Sequence, residues 1–123
     1  MAVLATFARV HVDDLAVALP AFVRLTGEQP RLRFSHRGLE LAAIGGFLLL
    51  AGTAEALAPF RATHATAIVE SVDEALRITE EHGGEILNGP DEVPTGRNVT
   101  VRLPGGAIVE YVEFHEEARS ARA

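Results

Sequence analysis

The chain has no cysteine, so disulfide bridges, thiolate metal sites and cysteine nucleophiles are excluded together. Tryptophan is also absent and tyrosine occurs once, as Tyr111, which leaves few flat aromatic surfaces for stacking a planar ligand. No apolar run approaches the roughly 20 residues of a bilayer-spanning helix, and the stretch from Met1 to Phe7 lacks the basic residues that open a secretory signal. The expectation is a cytoplasmic protein without a membrane partner. Positive charge is scarce: 11 basic against 17 acidic residues give a net charge of −6, which repels nucleic acid and anionic lipid and favours neutral or cationic ligands. No serine, histidine and carboxylate are spaced as a triad, because Ser35 and Ser71 fit turn and cap roles. What the chain does have is apolar mass. Its 123 residues, 48% of them hydrophobic, suffice for one domain that folds without staples.

A duplication organises that mass. Val12-Asp13-Asp14-Leu15-Ala16 is answered by Val69-Glu70-Ser71-Val72-Asp73, and Gly45-Gly46-Phe47-Leu48-Leu49-Leu50 by Gly105-Gly106-Ala107-Ile108-Val109-Glu110. The copies lie about sixty residues apart with a small drift, which fits two structural repeats with one loop insertion between paired elements. The first module covers about 5–52, a linker 53–61, the second module about 62–114, and a polar tail 115–123.

Each module predicts strand, helix and three strands. In the first, Thr6–Val12 alternates with Ala8, Val10 and Val12 on one face and Phe7, Arg9 and His11 on the other. A helix follows from about Asp14 to Thr26, with Leu15, Leu19, Phe22 and Thr26 as its buried stripe and Gly27 as its stop. Pro20 requires that this helix either begin late or kink. Strands are expected at Pro30–Ser35, Leu39–Ile44 and Phe47–Ala51, with turns at His36-Arg37-Gly38 and Gly45-Gly46. In the second module, Ala62–Val69 is a strand, and Ser71 with Glu74 forms a capping box. The helix that this box opens buries Val72, Ala75, Leu76 and Thr79, pairs Asp73 with Arg77 outside, and stops at Gly83-Gly84. Strands follow at Glu85–Asn88, Asn98–Leu103 and Ala107–Phe114, while Gly89–Gly96 reads as a loop bordering a pocket.

Duplicated β-α-β-β-β units that include Leu103-Pro104-Gly105-Gly106-Ala107-Ile108-Val109-Glu110 resemble the vicinal oxygen chelate superfamily of glyoxalases, extradiol dioxygenases and bleomycin-resistance proteins, in which a hairpin of the type D-P-x-G-x-x-x-E closes each half. The resemblance spans roughly residues 5 to 114, with Leu103 in place of the usual acidic residue. It implies an α+β fold of curved mixed sheets around a concave ligand cleft, with helices outside. It also implies metal-ligand slots at Phe7 and Leu50 in the first module and at His64 and Glu110 in the second. Phe7 and Leu50 carry no lone pair, and a catalytic divalent site needs about three protein ligands and an open position. No metal or other cofactor is therefore expected, and a weak divalent site at His64 and Glu110 is the most that this set offers.

On this reading the chain binds a small, partly apolar organic molecule in a cleft lined by Phe7, Arg9, His11, Leu48, Leu50, His64, Thr66, Thr100, Arg102 and Glu110. Two simpler roles compete. His64 can be a neutral imidazole hydrogen-bonded on the sheet, and Glu110, with Thr100 opposite, can answer Arg102 one pair away. The alternative function is an enzyme of the same superfamily, a lyase, isomerase, dioxygenase or thiol transferase, with Glu110 or His64 as catalytic base. A third is an interaction module with no ligand. Val17, Pro20, Ala21 and Val23 give the first helix more apolar surface than one buried face needs, so a homodimer is expected.

Overall fold

The computed structural model describes residues 1–115. Most of the expected polar tail lies outside the described residues. The chain is an α+β protein of two βαβββ modules, and its contacts divide it into Phe7–Ala62 and a second unit that joins Met1–Thr6 to the chain from Thr63.

In the first module β1 (Val3–Val12) leads into α1 (Leu15–Thr26), then β2 (Leu32–His36), β3 (Leu39–Ile44) and β4 (Phe47–Ala51). The strands lie in the order β2-β3-β4-β1, with β1 parallel to β4 and the other pairs antiparallel. Asp14 caps α1 by accepting from the Ala16 and Val17 amides at 2.9 and 3.3 Å. Gly27, at φ 69°, closes it by returning its N–H to the Val23 carbonyl. Pro20 sits inside the helix, which neither begins late nor ends there. Its exposed position lets water meet the Ala16 carbonyl that has lost its helical donor. Leu15 and Leu19 from α1 pack on Ala42, Ile44, Leu49 and Ala51, with Val10, Val12, Phe22 and Phe47 at the margin. Leu49 is wholly buried there, so truncating it to alanine removes packing worth about 2–5 kcal/mol.

The segment that reads as a linker is folded. Thr53 accepts from the Ala56 amide to cap a single helical turn, α2 (Ala54–Leu57), which runs into a 3₁₀ turn at Ala58–Phe60.

In the second module β5 (Ala65–Val69) is followed by α3 (Val72–Glu81), β6 (Glu85–Val93), β7 (Gly96–Arg102) and β8 (Ile108–Phe114), in the sheet order β5-β8-β7-β6. The buried stripe of α3 is Val72, Ala75, Leu76 and Thr79, as its periodicity predicts, and it covers Val69, Val99 and Val101. Ser71 caps the helix through the Glu74 amide at 3.1 Å, but the neighbouring free amide, that of Val72, is taken by the Glu113 carboxylate at 2.7 Å. The expected Asp73–Arg77 pair does not form. Arg77 turns to Glu81 and Glu74, and Asp73 meets Arg97 from β7 at 3.0 Å, a tertiary partner that a helical wheel does not contain.

The expected loop at Gly89–Gly96 is instead the second half of β6 and a tight turn at Pro94-Thr95. Register shifts between Ile86 and Asn88 and between Asn88 and Asp91 absorb Gly89 and Pro90 as bulges. Because β6 is the outer strand of its module, a proline there sacrifices no ladder hydrogen bond on its free side.

Candidate functional site

The register of the second module sorts its side chains into two faces. Ala67, Val109 and Tyr111 join the core under α3, so the residues between them, Thr66, Ile68, Ile108, Glu110 and Val112, point to the opposite face. Thr66 is only 4% exposed, and its hydroxyl donates to Glu110 Oε1 at 3.3 Å. Glu110 is half-buried, and Thr100 of β7 stands directly across from it, as the hairpin through Leu103–Ala107 predicts.

His64, just before β5, places its exposed ring against β8. Its Nδ1 lies 3.3 Å from the Ile108 carbonyl and 3.4 Å from the Ile108 amide, and its main chain donates to the same carbonyl at 2.9 Å. With Nδ1 occupied by Ile108, Nε2 is the ring nitrogen free to meet a ligand. Arg102, also on this face, forms its ion pair with Glu85, its register partner on β6. Glu85 belongs to the rim of this face, as does Asn88 opposite Thr100, and sequence reasoning passed over both. Only the bulges of β6 bring them into register, and a Gly-Pro pair reads as a strand terminator.

The remaining five predicted residues lie in the first module, on the face turned away from α1. Phe7, Leu48 and Leu50 are buried there, at 4%, 8% and 1% exposure, instead of lining open surface. The Arg31 guanidinium lies over the Phe7 ring, 5.4 Å from its centroid, while donating to the Gly45 carbonyl at 2.7 Å. Arg9 and His11 are half-buried. Burial holds the His11 imidazole below its ordinary range, and the charges of Arg61 and Arg9 act in the same direction while the Phe60 backbone opposes them. Its Nε2 is buried without a hydrogen-bond partner among the described residues. A depression of about 190 Å³ lies elsewhere in this module, beside β2 and the start of α1, and is lined by Leu15, Arg33, Phe34, Ser35, Glu40 and Leu41. It contains none of the predicted ligand residues.

No family model and no curated protein matches the sequence. Among solved structures, an uncharacterized protein from Methanosarcina mazei is 44% identical, with a TM-score of 0.87 over 94% of this chain and 96% of that one. The methylmalonyl-CoA epimerase of Mycobacterium tuberculosis superposes with a TM-score of 0.73 at 17% identity, over 96% of this chain and 93% of that one. A Streptomyces coelicolor methylmalonyl-CoA epimerase in complex with 2-nitronate-propionyl-CoA gives 0.70 at 16% identity, over 94% and 97%. The chain belongs to one family with the Methanosarcina mazei protein, and its fold is the vicinal oxygen chelate fold.

The vicinal oxygen chelate fold implies metal slots at Phe7 and Leu50 in the first module and at His64 and Glu110 in the second. Phe7 and Leu50 are buried hydrocarbons without a donor atom. In the second module, His64 has Nδ1 committed to Ile108 and Glu110 receives the Thr66 hydroxyl, so one imidazole nitrogen and one carboxylate are what it offers. Among the described residues no three His, Asp or Glu side chains gather as a metal-holding group. This donor set does not fit a catalytic divalent ion, which takes about three protein ligands.

Proposed function

We propose that this protein binds a small, partly apolar organic molecule on the second-module face, in the manner of the bleomycin-resistance branch of its superfamily and as a homodimer. One observation carries the reading. Glu110 is half-buried on the face that α3 does not cover, held by Thr66, faced by Thr100, and set between the apolar side chains of Ile108 and Val112. A carboxylate costs free energy to desolvate, and one kept half-buried between isoleucine and valine suits a position that also meets a ligand. Such a group suits the donor end of a ligand, a hydroxyl, amide or ammonium, whose hydrocarbon end rests on Ile108 and Val112. His64 Nε2 and Thr100 offer further polar contacts, and Arg102 with Glu85 forms an ionic rim. We assign Phe7, Leu48 and Leu50 to packing. Arg9 and His11 are the polar members of the first-module face. A divalent cation meets only His64 and Glu110 here and is held weakly.

A second reading is metal-free proton transfer, with Glu110 or His64 as base. It draws on the structural neighbours that are methylmalonyl-CoA epimerases, one of them in complex with 2-nitronate-propionyl-CoA. Thermal-shift screening of organic compounds with native mass spectrometry separates the classes. Binding proteins gain stability with an unaltered compound, whereas proton transfer exchanges substrate hydrogen for deuterium in heavy water. If no compound stabilises the chain and none exchanges, both readings fail and an interaction module is left.

A further inference from the structure

We propose that two copies of this chain pair through β2, antiparallel, with the two-fold axis at Phe34. The proposal takes from the preceding section only the number of chains, and it places their contact on a sheet edge instead of on α1.

The two outer strands differ in how they present themselves. β6 carries two register shifts, Pro90 within it and Pro94 after it, which are devices that keep an edge from pairing. β2 has none of these. Its five residues run in unbroken register with β3, it contains no proline, and Arg33 to His36 are exposed, with Phe34 at 41%. The β2–β3 turn is the two-residue loop Arg37-Gly38, with φ of 50° and 80°, the left-handed pair of a type I′ hairpin. Such a loop makes His36 and Leu39 the closing hydrogen-bonded pair. Phe34 therefore also turns its main chain toward β3, while Arg33 and Ser35 turn theirs to the free edge.

Two such edges fit each other. With Phe34 facing the partner's Phe34, Arg33 faces the partner's Ser35 as a hydrogen-bonded pair, and the two-fold repeats this, so all four outward amides and carbonyls of Arg33 and Ser35 in each copy find partners. The two phenylalanines meet as a non-hydrogen-bonded cross-strand pair, Cβ atoms about 5 Å apart. Charge selects the same register. Arg33, Ser35 and Glu40 lie on the α1 side of the sheet, because Arg33 pairs with Ala42 of the α1 core and Ser35 with Glu40. Glu40 is exposed, forms no salt bridge among the described residues, and borders the depression described above. The partner's Arg33 lies two strand spacings from Glu40, about 10 Å between backbones, with only the small Ser35 between them. An extended arginine and a glutamate bridge that span, and the guanidinium fills the depression. Arg31, which this register brings toward the partner's Arg37, is already drawn onto Gly45 and the Phe7 ring.

Sedimentation of the full chain at micromolar concentration tests this with three variants. Ser35→Pro removes an outward amide and leaves the β2–β3 ladder intact, so circular dichroism is unchanged and the dimer falls to monomer. Glu40→Arg raises the dimer dissociation constant roughly tenfold or more, and Arg33→Glu combined with Glu40→Arg restores it. Ligand stabilisation in Ser35→Pro stays at the wild-type value, so failure of this interface and failure of the ligand site are told apart. A wild-type monomer overturns the proposal, as does a dimer that withstands both Ser35→Pro and Glu40→Arg.

Discussion

Replacing Thr66 by valine tests whether the Glu110 carboxylate is held as described. Valine keeps the branched shape and the strand preference, and it removes only the hydroxyl that donates to Glu110 Oε1. Hydrogen bonds to charged groups contribute about 1.5–3 kcal/mol, and a separation of 3.3 Å puts this one at the lower end, about 1.5 kcal/mol. The same change puts a methyl in place of the hydroxyl at a site only 4% exposed, but the loss of the hydrogen bond to the carboxylate is the larger effect. For a domain of this size the loss lowers the melting temperature by about 5 °C. Urea unfolding of wild type, Thr66→Val, Glu110→Gln and the double variant isolates the pair, and the expected coupling is about 1 kcal/mol. A coupling indistinguishable from zero, with Thr66→Val as stable as wild type, would refute the reasoning and leave Glu110 to be positioned by other groups.

Three further outcomes follow from the same structure. Leu50→Glu places a charge at a position 1% exposed, so it should abolish folding or destabilise by several kcal/mol, read by circular dichroism, instead of altering ligand affinity alone. His11 titrates below its ordinary value of 6.5 when folded, so folding favours the neutral ring: this contribution is intact above 6.5 and is lost as pH falls below it. The melting temperature should therefore drop between neutral and mildly acidic pH, and by less in His11→Phe; an equal drop in both removes His11 from the account. Protein purified without a metal-chelating tag should carry no stoichiometric zinc, nickel, manganese or iron by elemental analysis, and a full equivalent of any of them would contradict the donor count at His64 and Glu110.

Where local pattern decides, the sequence was a sufficient guide. The buried stripe of α3 follows from spacing alone, the Ser71 cap from its position before that stripe, and the pairing of Thr100 with Glu110 from the short turn at Leu103–Ala107. Tertiary competition decides the rest. Asp73 prefers Arg97 to its helical neighbour because β7 brings a cation within 3.0 Å, and β6 runs through Gly89 and Pro90 because an outer strand tolerates bulges. Alternation also told which face Phe7, Leu48 and Leu50 occupy but not that the face is buried, since periodicity reports direction and is silent on what covers a side chain. Of the candidate site, the members on β5, β7 and β8 were legible, whereas Glu85 and Asn88 depended on a register that the Gly-Pro signal conceals.

The central claim is that the second-module face binds an organic ligand through Glu110, and a calorimetric isotherm tests it most directly. A compound that stabilises the wild type in thermal-shift screening is titrated into wild type, into Glu110→Ala and into Glu80→Ala, an exposed control on α3. Loss of an oriented hydrogen bond to a charged group weakens binding by about 1.5–3 kcal/mol, roughly ten- to hundred-fold, in Glu110→Ala and leaves the control unchanged. Equal affinity in all three proteins would contradict the account and place the ligand elsewhere on the chain.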